Sequence, residues 1–446
     1  MHTSPQPASK LSRRQVLKAA PAVLAGAPAL ARRRQPNLLF LLVDQLSLNA
    51  IGAHGCRWAR TPNLDRLARR GVSFQESHST NPVCSPARSS LLTGRMPVET
   101  GVVNNGILIR QSIPNLGQWF GGHGYETVYC GKWHLPQTWE ANIPGFTTIP
   151  LLGEGEGDVK DPLVAMASEA YLHSRSRTKP FLLLASLLQP HDICFWAIDD
   201  YTPQLVPQRI PFEELAGPLP ELPPNTRSRP PEPRLIAEAP WRPKDRSDEQ
   251  WRFYLYNYYR MVEMLDADVG RILDALEASG TAEDTVVLLT SDHGEGGARH
   301  GNVQKHFPYE EAVKVPMIVS APGMARAGRQ DTEHLVSGLD VMSTLCDYAG
   351  IPAPARARGL SLRPLVEGRE VKWRSHVVAE AQEVGRMVRT AQYKYVLYQN
   401  DPVEQLFDLK ADPWEMNNLY RDARYASVRN EHRRLLAEWE SSMEMA

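Results

Sequence analysis

The chain has 446 residues, 42% of them hydrophobic, enough to bury a large core. Its formal net charge of -1 excludes a globally basic surface of the kind that grips nucleic acid. The five cysteines, Cys56, Cys84, Cys130, Cys194 and Cys346, are too few and too scattered for a disulfide scaffold, and no CxxC pair points to zinc or dithiol redox chemistry.

In chain order, the first predicted element is an address. Ser12 to Lys18 places Arg13, Arg14 and Lys18 ahead of a modest apolar run, Ala19 to Leu30, and Ala29-Leu30-Ala31 offers small residues to a signal peptidase. The run is shorter than the roughly 20 residues a membrane span needs. Residues 1–31 resemble a twin-arginine signal, which implies a periplasmic or secreted protein carried by the twin-arginine export machinery, without stable membrane insertion.

Pro36-Asn37 opens the run Leu38 to Val43, apolar on both faces and ended by Asp44, the pattern of a central parallel strand. Thr61 as N-cap, Pro62 at N1 and Gly71 at the far end bracket a helix. Phe181 to Leu188, Val286 to Thr290 and Pro316 to Ser320 read as further buried strands. Trp251 to Glu277 reads as a long amphipathic helix. Strands alternating with helices predict an α/β fold with a mostly parallel sheet covered on both faces, and ligands in such sheets lie beyond the carboxyl ends of the strands. Asp44 and Asp292 both stand at such ends. Residues 192–245 are dense in proline and read as a long ordered loop forming a pocket wall, with Phe195, Trp196 and Trp241 anchoring it. After about residue 371 short strand-like pieces and a polar terminal helix predict a small α+β subdomain with an antiparallel sheet. The expected division is thus 1–31, 36–370 and 371–446.

Pro82-Val83-Cys84-Ser85-Pro86-Ala87-Arg88-Ser89-Ser90-Leu91-Leu92-Thr93-Gly94 carries the strongest chemical signal. It puts a reactive residue at a turn where a helix begins, and a helix N-terminus offers partial positive charge and free amides to an anion. Arg88, one turn on, adds a fixed positive fork. A cysteine so placed is an activated-thiolate candidate.

Cys-x-Pro-x-Arg followed by Leu-Leu-Thr-Gly resembles the signature of the type I sulfatases of the alkaline-phosphatase-like superfamily, and the resemblance runs from about Pro36 to Leu419. It implies an alkaline-phosphatase-like α/β/α sandwich and a sulfuric ester hydrolase. In that family the cysteine, here Cys84, is oxidised by a formylglycine-generating enzyme to formylglycine, whose hydrated aldehyde is the nucleophile. By the same resemblance Asp44, Gln45, Asp292 and His293, with the residue at 84, hold one divalent cation. Gly124 to His134 resembles the family's second signature: Lys132, which with His134 alternates along an extended segment, holds the sulfate, and His134 hydrogen-bonds the formylglycine. His191 protonates the leaving group, and Lys305 also binds sulfate. Asn105 is a candidate for contacting substrate, and His300 and His306 are further candidates. Many sulfatases carry two aspartates at the first metal position and an asparagine at the second. The Asp44-Gln45 and Asp292-His293 pairs instead resemble the choline-sulfatase and phosphonate monoester hydrolase branches. Calcium is the expected cation, with manganese as competitor because an imidazole nitrogen suits it better. The expected substrate is a sulfated small molecule or glycan. The alternatives are a phosphonate monoester or phosphodiester hydrolase with the same nucleophile, and a non-catalytic sulfoglycan-binding protein. The run from Asp408-Leu409 to Asn418-Leu419 reads as a structural turn.

Overall fold

The first long strand is apolar on every residue from Leu38 to Val43, and the fold follows from burying both of its faces. In the computed structural model, which describes residues 1–2, 35–151, 155–197, 218–239, 242–243, 246–324 and 327–444, this strand is β1 (Asn37–Asp44). The export signal expected over 1–31 lies outside the described residues, apart from Met1 and His2.

With β2 (Val72–Phe74), β4 (Glu126–Gly131), β5 (Thr147–Ile149), β6 (Phe181–Pro190), β7 (Thr285–Ser291), β8 (Met317–Ser320) and β9 (Arg329–Asp331), the main sheet has the order β5-β4-β6-β1-β7-β8-β2-β9, and β3 (Ser77–His78) lies outside it. β1 lies between β6 and β7, parallel to both, with Leu39 opposite Leu183 and Val287. The sheet is parallel except at β8, which runs antiparallel to β7 and β2. A two-residue β10 (Val336–Ser337) pairs with β3 alone.

Side chains alternate across the sheet with a period of two. Leu39, Leu41 and Val43 face a layer that includes Val164, Tyr258 and Leu265, from helices Gly157–Ser174 and Asp248–Ala278. Leu38, Phe40 and Leu42 face the opposite layer, with Leu91 and Leu92 from helix Cys84–Thr93 and Val341 and Leu345 from helix Asp340–Ala349. This is the alkaline-phosphatase-like α/β/α sandwich expected. The long helix starts three residues before Trp251, because Ser247 accepts from the Gln250 amide and forms a capping box. Thr61 does not cap its helix as expected: its hydroxyl accepts the Gly52 N–H and donates to Asp65.

β11 (His376–Ala381), β12 (Gly385–Thr390), β13 (Tyr393–Tyr398) and β14 (Gln405–Asp408) form the antiparallel C-terminal sheet in simple order. One face, Ala379, Met387, Val396 and Phe407, shares a core with Ile236, Phe307, Tyr309 and Val313. The other receives Leu435 and Leu436 of helix Ala426–Glu444. Asp408 and Asn418 accept backbone amides at either end of the turn between them, which matches its structural reading. No helix among the described residues is long and apolar enough to cross a membrane.

Candidate active site

Four neighbouring parallel strands end on the same edge, so the residues just past them converge although up to hundreds of positions separate them in sequence. β1 ends in Asp44 and Gln45, β4 leads to Lys132, β6 to His191, and β7 to Asp292 and His293. Cys84 enters from above this edge as the first residue of its helix, only 1% exposed.

The two carboxylates are tied by a single guanidinium. Arg88 Nε donates to Asp292 Oδ2 at 2.8 Å and Nη2 to Asp44 Oδ2 at 3.0 Å, while Nη1 reaches the Lys132 carbonyl at 3.0 Å and Ser186 Oγ at 2.9 Å. Lys132 Nζ adds a second cation to Asp44 Oδ2 at 2.7 Å. Burial opposes ionisation of Asp44, but Lys132, His191, Arg88 and Lys305 outweigh it and hold the carboxyl well below its usual range. Burial, then the nearby Asp44, pushes Asp292 up.

Cys84 Sγ is the hub of the remaining groups. His293 Nε2 and Lys305 Nζ each stand 3.2 Å from it, and the rings of His134 and His191 lie beside it. Burial and Asp44 disfavour the thiolate; Lys305, Lys132 and His293 reverse the balance, and the thiol sits well below its ordinary value. Lys305 also donates to Gln45 Oε1 at 2.7 Å. Burial, then Lys132 and Lys305, drives His191 down to about 3, so its imidazole is neutral near pH 7.

The arrangement fits a divalent cation. One ligand atom from each of Asp44, Cys84, Asp292 and His293 lies within 4.8 Å of the others. Arg88 and Lys132 occupy the Oδ2 atom of Asp44, so its Oδ1 is the oxygen turned to the cluster, whereas Asp292 gives Oδ2 to Arg88 and its Oδ1 accepts the Gln45 and His293 amides at 3.1 and 2.8 Å. His293 Nδ1 faces the Gly294 carbonyl at 2.9 Å, so the tautomer protonated there leaves the Nε2 lone pair toward the cluster. Two carboxylate oxygens and one imidazole nitrogen, with the residue at 84, make a mainly hard donor set, and Gln45 Oε1 is joined to it through Lys305, which donates to both that oxygen and Cys84.

The expected site residues Asp44, Gln45, Cys84, Arg88, Lys132, His134, His191, Asp292, His293 and Lys305 therefore come together. One local geometry differs from expectation. Lys132 and His134 do not alternate along a strand: β4 ends at Gly131 (φ +107), where a Cβ would lie 2.0 Å from the Ser186 carbonyl, and His134 is itself left-handed at φ +61. A turn rather than a shared strand face brings both to Cys84. Asn105 is an exposed residue whose Oδ1 accepts the Ser85 amide at 2.9 Å, taking one of the donors at the helix N-terminus. His300 lies outside the cluster, its ring 4.2 Å from that of Tyr309 and its Nε2 3.1 Å from Asn225. His306 lies beside the cluster, and burial, then Lys305, pushes it down to about 3.

Several contributors were not singled out from sequence. Ser186 on β6 braces Arg88, and the Tyr258 hydroxyl donates to the Gln45 carbonyl at 2.9 Å. The Cys194 thiol donates to Gln45 Oε1 at 3.4 Å. Glu295 accepts from the Gln45 side-chain amide, and only its place two residues past His293 hinted at it.

Comparison with known proteins agrees with this geometry. The family profile described as Sulfatase matches residues 36–351, and that of the N-sulphoglucosamine sulphohydrolase C-terminal region matches 298–442. The chain is 32% identical to a Delta 4,5-hexuronate-2-O-sulfatase of Bacteroides thetaiotaomicron, over 93% of this chain and 91% of the relative. It is 28% identical to a choline-sulfatase of Rhizobium meliloti, over 87% and 83% of the two chains. A solved 2-O GAG sulfatase superposes with a TM-score of 0.77 at 30% identity, over 92% of this chain and 93% of that one. The phosphonate monoester hydrolase of Agrobacterium radiobacter shares the fold, with a TM-score of 0.77 at 24% identity over 92% and 96% of the two chains.

Proposed function

The chain belongs to the sulfatase family and is a sulfuric ester hydrolase, and from that premise we propose that it removes sulfate from a sugar through a formylglycine made from Cys84. The observation that carries this reading is the surrounding of Cys84: one buried sulfur at a helix N-terminus, within hydrogen-bonding reach of His293 and Lys305, with the rings of His134 and His191 close by, beside a paired carboxylate cluster. A resting thiol needs no such company.

Formylglycine would supply a hydrated aldehyde, with one hydroxyl to attack sulfur and a second whose deprotonation releases sulfate again. The residues around it have separable tasks. Lys132 and Lys305 present positive charge where the sulfate oxygens would sit, an electrostatic preorganisation that costs no rearrangement during reaction. Arg88 clamps Asp44 and Asp292 into one orientation and balances their charge. His134 orients the nucleophile, and His191 delivers a proton to the departing oxygen. Asp44, Gln45, Asp292 and His293, with the residue at 84, would hold the cation, which polarises the sulfate and the nucleophile's hydroxyl when bound. Calcium is the cation we propose, with manganese as the alternative the imidazole ligand favours.

A sulfated sugar is favoured because the hexuronate-2-O-sulfatase is 32% identical to this chain, over 91% of its own length. The Asp-Gln and Asp-His donor pairs support a second reading, a phosphonate monoester or phosphodiester hydrolase with the same nucleophile; activity ratios on matched aryl sulfate and aryl phosphonate esters separate the two. The arginine pair and apolar run over 12–31 support twin-arginine export to the periplasm or beyond.

The first test is the mass of the peptide containing Cys84, from protein made in a host with a formylglycine-generating enzyme. Loss of the thiol in favour of the aldehyde is the expected result. An intact thiol there refutes the nucleophile and favours a sulfoglycan-binding protein. Cys84→Ala is expected to abolish multiple turnover, and near-normal turnover in that variant is incompatible with the mechanism.

A further inference from the structure

We propose that Glu295 is a positioning residue that decides which end of the Gln45 amide faces the cation site, an inference that rests on the metal-assisted reading above. A glutamine amide has two ends of nearly equal size and opposite character, and only the oxygen can serve a cation. Gln45 is fully buried, so water cannot sort the two ends.

Its neighbours do. Gln45 Nε2 donates to Glu295 Oε2 at 2.5 Å, and Oε1 accepts from Lys305 Nζ at 2.7 Å. Turned over, the amide would set its NH2 against an ammonium and its oxygen against a carboxylate. Glu295 is itself held, because its Oε1 accepts from the Tyr254 hydroxyl, from Gly297 N at 3.1 Å and from Gln304 N at 2.8 Å. That leaves Oε2 committed to Gln45. At 1% exposure, and with the Gln45 side chain interposed before Lys305, Glu295 acts through Gln45. Lys305, with the weak thiol donor of Cys194 on the same oxygen, cannot fix the orientation once an anionic substrate competes for its ammonium, whereas Glu295 remains behind the site.

The test is a reciprocal exchange read by calorimetric titration with calcium and with manganese on the full-length protein. In Glu295→Gln the new amide can face Gln45 in either sense, and cation affinity is expected to fall by about 10- to 100-fold. In the double variant Gln45→Glu with Glu295→Gln, residue 45 carries an oxygen at both ends, and the amide introduced at position 295 donates to it. Affinity is expected to return to within about threefold of wild type, a rescue that a merely structural role of Glu295 does not produce. Equal affinity in wild type and Glu295→Gln, or a double variant no better than Glu295→Gln, overturns the assignment. A wild-type protein that binds neither cation overturns the cation reading itself, and is told apart because the defect then precedes any substitution.

Discussion

Replacing His191 by asparagine tests the proton-transfer step, and the structure sets the size of the effect. The imidazole is pushed down to about 3, so protonating it at pH 7 costs about 5 kcal/mol. A sulfate ester brings one negative charge. At about 4 Å and an effective dielectric near 20 that charge returns about 4 kcal/mol. The aspartates already act on that value, so the sulfate is the anion newly added, and it pushes the imidazole back up. Because the acid must carry its proton, kcat on an alkyl or sugar sulfate should fall as pH rises through the raised pKa of the complex. A 4-nitrophenyl ester, whose leaving group needs no proton, should show no such fall. His191→Asn should lose about 10²- to 10⁴-fold on the alkyl ester and less than about tenfold on the nitrophenyl ester. The assay is steady-state kinetics on both esters from about pH 5 to about pH 9, wide enough to bracket the titration of an imidazole. Equal losses on the two substrates, or an alkaline limb that survives in the variant, would refute the reasoning.

Chelating the divalent cation should abolish turnover and lower the unfolding temperature. A cation at about 100 times its dissociation constant contributes about 2.7 kcal/mol to the folded state, and differential scanning calorimetry with and without chelator measures it. Lys394→Met should destabilise the protein by about 3–5 kcal/mol in a urea titration. Its fully buried ammonium lies 3.3 Å from Glu310 and also pairs with Glu415, so its loss strands the buried Glu415 carboxylate and leaves Glu310 to the more distant Arg389 Nε at 3.7 Å; a midpoint unchanged from wild type would contradict that account.

What the sequence disclosed and what it withheld divide along physical lines. Cys84 and Arg88 were legible because helix periodicity links residues one turn apart. Asp44 and Asp292 were legible because each follows a largely apolar strand, and strand ends gather at one edge of a parallel sheet. The direction of β8 was not legible: a four-residue apolar strand reads the same whether it runs with or against its neighbour. The left-handed turn at His134 was hidden too, since histidine carries no local mark of positive φ as glycine does. Glu295 was the hardest to see. Its partner Gln45 stands 250 positions away, and only the pairing of β1 with β7 brings them into one layer.

The core that the C-terminal sheet shares with Phe307, Tyr309 and Val313 bears on how such enzymes can be recombined. The same stretch carries Lys305 at its start and Glu310, the buried partner of Lys394, near its end. The strands from His376 onward therefore lie under the stretch that carries Lys305, the lysine proposed to bind sulfate. A graft cut just before His376 would seat a foreign floor under a native lysine. A graft cut near residue 298, where the C-terminal family profile also begins, carries the lysine and its floor across together. The heritable unit in this part of the molecule is thus larger than the sheet, and its upstream edge falls inside the catalytic half of the chain.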